Sequence, residues 1–361
     1  MRSASRRKWV GLALLLGFGA VNVVAYRQAR AFTHFAPPGH RTRPQLLSLS
    51  ELAGALASGV EVPRPENRRT PRDVGLAYER HLFSGGRGVP LEAWLVPRPE
   101  ARGTVVLFHG HAASKESQLR EARVFHEMGL NAFLVDFHGS GGSGGNETSI
   151  GFHEALDVTR AFEYARGLPR AGPVVLYGAS MGAAAVLKGV ADDSLDPAAL
   201  ILECPFDSLI GTVRHRFTSR GIPSFPLADL LVFWGGVQGG FNGFAYRPAE
   251  SAARIRQPTL LMNGDSDPWV RPEEARAIFG ALRGPKTLKF FAGVEHDSCL
   301  RRRPDEWKPA VAAFLSQALQ PRSGAHSRYG IRIRPGITNL RLLDPTAFCP
   351  RGMDRCAWWT R

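Results

Sequence analysis

The chain has 361 residues, with 46 Lys and Arg against 32 Asp and Glu, and a net charge of +14. The excess lies at the ends: residues 1–43 hold eight basic residues and no acid, 321–361 hold eight Arg and two acids, and 44–320 carries 30 of each sign. A neutral middle argues against a nucleic-acid groove there, and the length allows one large α/β domain with appendages.

Arg2, Arg6, Arg7 and Lys8 precede a run, 9–26, that is apolar except for Asn22. Eighteen helical residues span ~27 Å, enough for a bilayer core. Residues 1–27 therefore read as a membrane anchor or a signal segment. The run is long for a signal core and Arg27 and Arg30 follow at once, which favours the uncleaved anchor. Against that stand a small-residue site at Val23-Val24-Ala25 and a twin-arginine-like Ser5-Arg6-Arg7-Lys8. Basic residues ahead of the run place the N-terminus in the cytoplasm and the rest outside it; cleavage would make the chain secreted or periplasmic. Residues 28–70, rich in Pro and Arg, read as a linker with a short helix over 46–57.

The body is expected over 71–320. Segments 74–83 and 90–96 predict an antiparallel edge hairpin turning at Gly85-Gly86-Arg87-Gly88. From residue 104 onward, apolar runs alternate with helical stretches, the pattern of a mostly parallel sheet with helices on both faces. The first run, 104–108, ends in His109-Gly110-His111-Ala112-Ala113. The second, 131–135, ends in Asp136-Phe137-His138 and then Gly139-Ser140-Gly141-Gly142-Ser143-Gly144. That last stretch formally matches G-x-G-x-x-G. It follows the second strand of the series, lies several residues before the next helix, and lacks the later acid of a dinucleotide site.

The third run, 173–177, leads into Gly178-Ala179-Ser180-Met181-Gly182 and a small-residue helix. Strand, tight turn and helix around G-x-S-x-G describe a nucleophile elbow; the plainer reading is a turn with Ser180 as helix N-cap. A serine hydroxyl needs a base, and the base needs an acid. The strand 258–263 runs into Gly264-Asp265-Ser266-Asp267-Pro268, and the strand 286–291 into Ala292-Gly293-Val294-Glu295-His296, so acid and base follow the serine in order. A tetrahedral oxyanion needs two N–H donors: the Met181 amide, after the nucleophile, and the His111 amide on the loop after the first strand. Asp265 also suits a cap for the helix that begins near Pro272. Asp207 is a second-choice acid, and Asp297 is expected to face solvent. No H-E-x-x-H occurs and no Cys/His cluster has zinc spacing.

The insert 207–257 is long enough for a cap of two or three helices. Its run 225–234 is apolar almost all round, as a lid lining an acyl pocket or as a helix packed on the body. Gly235-Gly236 and Gly239-Gly240 would let such a lid move. The tail, 321–361, is basic and mostly irregular; Cys349 and Cys356 would close a loop in an oxidising compartment.

These elements, from His109-Gly110 through Asp136-x-x-Gly-Ser-Gly, Gly178-Ala179-Ser180-Met181-Gly182 and Gly264-Asp265-Ser266-Asp267 to Gly293-Val294-Glu295-His296, resemble the α/β-hydrolase superfamily in order across 74–320. The likeness is nearest to its esterase, lipase, thioesterase and serine-peptidase branch. It implies an α/β-hydrolase fold with a Ser180–Asp267–His296 triad and a structural His109. The acid is chosen between Asp265 and Asp267 by the family's G-x-x-D pattern. The expected function is a serine hydrolase acting on an ester or thioester with an apolar acyl part, without metal or organic cofactor. A serine aminopeptidase or acyltransferase on the same triad, and a non-catalytic membrane-tethered binding module, are the alternatives. The expected partners are a small-molecule or lipid ester and, through the N-terminal segment, the membrane, with no nucleic acid.

Overall fold

The computed structural model describes residues 2–37, 54 and 59–320, with side chains from residue 7 onward. Apart from Gly54, the helix expected over 46–57 lies outside the described residues, as does the whole tail with Cys349 and Cys356.

Eight strands form one sheet: β1 (Glu79–Ser84), β2 (Pro90–Val96), β3 (Thr104–Phe108), β4 (Asn131–Val135), β5 (Val174–Ala179), β6 (Ala199–Glu203), β7 (Thr259–Gly264) and β8 (Lys286–Phe291). Their order is β1-β2-β4-β3-β5-β6-β7-β8. The β1–β2 hairpin is antiparallel, β2 meets β4 antiparallel, and every later pairing is parallel. Parallel strands covered on both faces need apolar residues throughout, and β3, β4 and β6 are buried along their whole length. The strand expected over 74–83 begins only at Glu79, with Val74 closing a 3-10 turn over Pro71–Val74. β6 stops at Glu203, and Cys204 takes φ 52°.

Alternate residues of each strand feed two cores. Val106 and Phe108 pack under α3 (Glu154–Arg166), α4 (Met181–Asp192) and α8 (Pro272–Ala281), with Phe162, Val186 and Ile278. Val105 and Leu107 pack on the other side with α2 (Leu119–Glu127) and α10 (Pro304–Ala318), whose Phe125 and Trp307 are fully covered. Each such aliphatic or aromatic side chain contributes about 1.5–3 kcal/mol.

The insert between β6 and β7 holds three helices, α5 (Leu209–Thr218), α6 (Leu227–Gly239) and α7 (Pro248–Ala252). Gly235, Gly236 and Gly239 lie inside α6, and only Gly240 ends it, at φ 69°. The paired glycines are therefore part of a continuous helix up to its cap at Gly240.

The apolar N-terminal run is one helix, α1 (Arg2–Thr33), which continues past the boundary expected at residue 27. Its stretch Arg7–Thr33 is long and apolar enough to cross a membrane and is almost wholly uncovered. Only its C-terminal part is packed, and it packs on the cap helix α6. Ala25 and Ala29, four apart on one face, are buried there. The Trp234 indole N–H donates to Asn22 Oδ1 at 3.2 Å, Gln238 Nε2 donates to the Tyr26 carbonyl at 2.9 Å, and Tyr26 meets Trp234 edge to face at 5.4 Å.

The described part of the expected linker is strapped to the body. His34 bridges to Glu147, Ala36 to Pro63, and the Arg64 guanidinium donates to the carbonyls of Gly141 and Ser143 at 2.8 and 2.6 Å. Arg64 thus closes the glycine-rich loop after β4. That loop turns its own amides inward: Gly139 donates to Gly144, Gly141 to Pro65, Gly142 to Asp136, and Gly144 to Pro90. Four of the amides a phosphate would need are already spent. Beneath the loop, fully buried Lys115 bridges Glu92 and Asp136 and lies over the Trp94 ring at 4.2 Å.

Candidate active site

β3 pairs with β4 on one side and β5 on the other. A crevice opens where the chain reverses direction across a parallel sheet, and the loops after β3 and β5 meet there. Ser180 stands between β5 and α4 at φ 52°, ψ −114°, a conformation rare for a side-chain-bearing residue. Its neighbours make room for it. A Cβ on Gly178 would sit 2.7 Å from the Ala183 backbone, and one on Gly182 would sit 2.3 Å from the Phe108 carbonyl. Ser180 is thus an elbow residue whose own side chain does not cap α4.

The Ser180 hydroxyl is 2.9 Å from His296 Nε2, and His296 Nδ1 is 2.6 Å from Asp267 Oδ2. Asp267 is buried, and its other oxygen accepts the amides of Trp269 and Val270 at 2.8 and 2.9 Å. Those two bonds fix the carboxylate on the loop after β7. The Trp269 ring lies 5.0 Å from the His296 ring.

Asp265 does not cap the following helix; it accepts the Gly293 amide at 2.8 Å and ties the acid's loop to the histidine's. The start of α8 is closed instead by Glu274, which accepts the Arg271 amide at 2.8 Å. Asp207 is hydrogen-bonded to Ser208, while His296 uses Asp267. Asp297, expected in solvent, is largely covered and pairs with Arg301 and Arg302.

His109 is fully buried. Its Nε2 accepts the Phe137 amide at 3.1 Å, so Nδ1 carries the proton and donates to the Gly110 carbonyl at 2.8 Å. It braces the loop after β3 against the loop after β4. His111 and Met181 line the same cavity as Ser180. The His111 ring reaches the Phe32 carbonyl of α1 at 3.1 Å; burial, aided by the Arg216 charge, pulls its pKa down to about 4 and keeps it neutral. Nothing in the residue pattern signals this link between α1 and the loop that would face an oxyanion.

Several other features were not legible in the sequence. A second buried network lies behind the triad. Glu203 accepts from Tyr177, the Cys299 amide and the Trp307 indole, and the Ser180 amide donates to the Glu203 carbonyl at 2.7 Å. Glu121 accepts from Ser298 Oγ, two residues beyond His296, and burial near Glu203 lifts its pKa to about 7. Cys204, Asp267 and His296 place a sulfur, an oxygen and a ring nitrogen within 4.8 Å of one another. The Asp267–His296 hydrogen bond accounts for two of these. A bond from Cys299 favours the Cys204 thiolate, but burial beside Glu203 outweighs it and raises the thiol's pKa.

The cavity over Ser180 measures about 1370 Å³. Its walls include Ala29 and Phe32 of α1, Phe217 just before the end of α5, and Leu231 and Val232 of α6. A carbonyl placed there can meet a hydroxyl, a general base and two candidate amides.

The pattern of a family described as serine aminopeptidase, S33, matches residues 99–219. Protein bem46 of Schizosaccharomyces pombe is 29% identical over 262 residues, covering 70% of this chain and 81% of that protein. The alpha/beta hydrolase domain-containing protein WAV2 of Arabidopsis thaliana is 26% identical over 66% of this chain and 79% of its own. Among solved structures, the Pyrococcus furiosus esterase Pf2001 superposes with a TM-score of 0.60 at 22% identity, over 71% of this chain and 96% of that one. The chain has the α/β-hydrolase fold and is similar in sequence to proteins that carry it.

Proposed function

We propose that this chain is a membrane-anchored serine hydrolase that cleaves a carboxylic ester or thioester with an apolar acyl group. The observation that carries the reading is the hydrogen-bonded line from Ser180 through His296 to Asp267, opening on a cavity walled by α1 and the cap. Ser180 Oγ attacks the carbonyl carbon while His296 Nε2 takes its proton. Asp267 holds the ring with Nδ1 protonated and stabilises the imidazolium. The Met181 and His111 amides receive the oxyanion. The tetrahedral intermediate collapses, His296 returns the proton to the leaving alcohol or thiol, and a water activated by the same histidine releases the acid.

The exposed apolar face of α1 supports the bilayer assignment, with Leu14 at 70% and Trp9 at 68% exposure. Phe225, Phe233 and Val237 on the cap are likewise uncovered. A helix anchored in lipid and packed on the cap would set the cavity mouth at the bilayer surface. The charge ahead of the run favours a cytoplasmic N-terminus and an extracytoplasmic body.

The pattern description brings aminopeptidase action forward as a competitor. A peptide's free amine calls for an unspent carboxylate in the pocket: Glu203 already accepts three bonds there, and burial raises the pKa of Glu121, whose Oε2 has no partner, to about 7, which disfavours its charged form. Hydrolysis of a series of acyl esters beside aminoacyl amides, with Ser180→Ala as control, tests the reading. Rising kcat/KM with acyl length and loss of turnover in the variant are expected. Preference for the amides, or full activity in the variant, would contradict it.

A further inference from the structure

Arg216 lies near the end of α5 and lines the cavity together with Ser180 and His296. Its guanidinium sits over the Trp269 ring at 4.9 Å, and the His296 ring lies 5.0 Å from the same Trp269 ring. One nitrogen donates to Thr212 Oγ1 at 3.3 Å. Among the described residues, no carboxylate pairs with it. The two acids whose charge it feels, Asp267 and Glu274, are committed to His296 and to His215. Other arginines of the cap and its flanks do have partners: Arg214 holds Asp229, Arg247 holds Glu250, and Arg254 holds Asp192.

A cation partly drawn out of water without a counter-ion is costly. Burial lowers the Arg216 pKa from its usual value, yet a guanidinium stays charged at any ordinary pH. The Trp269 face offsets part of that cost. Arg220, one turn on, bonds the Arg216 carbonyl at 3.1 Å and also lines the cavity, which adds positive charge at the same wall. The rest of this wall is apolar, with Phe217, Leu231 and Val232 beside Phe32 of α1.

We propose that Arg216 is an anion subsite, and that the preferred substrate is a single-chain amphipath carrying a phosphate or a carboxylate near the scissile ester. The planar fork of a guanidinium matches either anion with two parallel hydrogen bonds. The acyl chain occupies the apolar wall shared by α1 and the cap, and the anion completes the pairing the protein leaves open. The proposal rests on the hydrolase reading for its reaction and on Arg216 alone for its selectivity. It makes Arg216 a substrate-binding residue and Trp269 the positioning residue between it and His296.

The test uses the full chain in lipid nanodiscs and three matched ligands: monododecanoylglycerol, its phosphate monoester, and the dodecanoyl ester of glycerate. Binding is measured first on Ser180→Ala, which cannot turn the ligands over. At least one anionic ligand should bind tenfold or more tighter than the neutral one, and Arg216→Gln in that background should abolish the difference while Arg216→Lys keeps part of it. Whichever of phosphate or carboxylate binds tighter identifies the anion. In the otherwise native enzyme, Arg216→Gln should raise KM for the anionic ester tenfold or more with kcat little changed, because the contact is made in ground and transition states alike. Equal binding of all three ligands overturns the proposal. So does an equal fall in kcat on neutral and anionic esters, which would mark Arg216 as a prop for Trp269 and His296. Arg216-dependent anion binding by a chain that hydrolyses none of the three would keep the subsite and remove the hydrolase reading.

Discussion

At Ser180 the backbone stores strain at φ 52°, ψ −114°, about 1–3 kcal/mol, and two bonds to Asp267 Oδ1 hold the carboxylate that meets His296. Asp267→Asn keeps the shape but presents His296 with a side chain that stabilises neither the Nδ1 proton nor the imidazolium. A fall in kcat of about 10⁴ is expected, measured on an ester with circular dichroism as the check on folding. Glu121 gives a second expectation. Its folded pKa, about 7, lies above the ordinary value of 4.5, so the folded state binds the proton more tightly. Its favourable contribution is complete below pH 4.5 and is lost as pH rises through about 7. Glu121→Gln should therefore raise stability relative to the parent at pH 8, by up to about 3 kcal/mol, and make little difference at pH 4. Denaturation midpoints at the two values measure it; a variant less stable at pH 8 would refute the buried-acid account.

At the scale of elements, the sheet was legible because its strands are continuous apolar runs, and the elbow because glycines must flank Ser180 where backbones come within contact. The acid's loop was legible only through the resemblance: Asp265 and Asp267 differ in which neighbour they reach, Gly293 or His296, and spacing carries no such information. The packing of α1 on α6 was not legible either, since both runs look lipid-soluble in isolation. Asn22 was the one mark, a polar residue in an apolar run that finds the Trp234 indole. The glycine-rich loop misleads by pattern; it is folded around Asp136 and Lys115. Replacing Lys115 with Met leaves Glu92 and Asp136 buried without their shared cation. A loss of about 3–5 kcal/mol is expected, read as a fall in the denaturation midpoint, with the β4 loop the first to exchange its amides.

At the scale of the whole molecule, the basic excess at the ends and the neutral body suit a protein held at an anionic surface. If α1 anchors the chain, the protein stays in the membrane pellet after alkaline carbonate extraction; release into the supernatant would place it among cleaved or peripheral proteins. The α1–α6 contact also makes α1 part of the cavity wall, which is why activity toward lipid esters should depend on residues far from Ser180 in sequence. The central claim remains that Ser180 is an activated nucleophile. Fluorophosphonate labelling of the detergent-solubilised full chain, with Ser180→Ala and His296→Ala beside it, tests that claim most directly. Labelling of the parent that disappears in both variants is the predicted result. A folded parent that does not label, or a Ser180→Ala variant that still does, would contradict it.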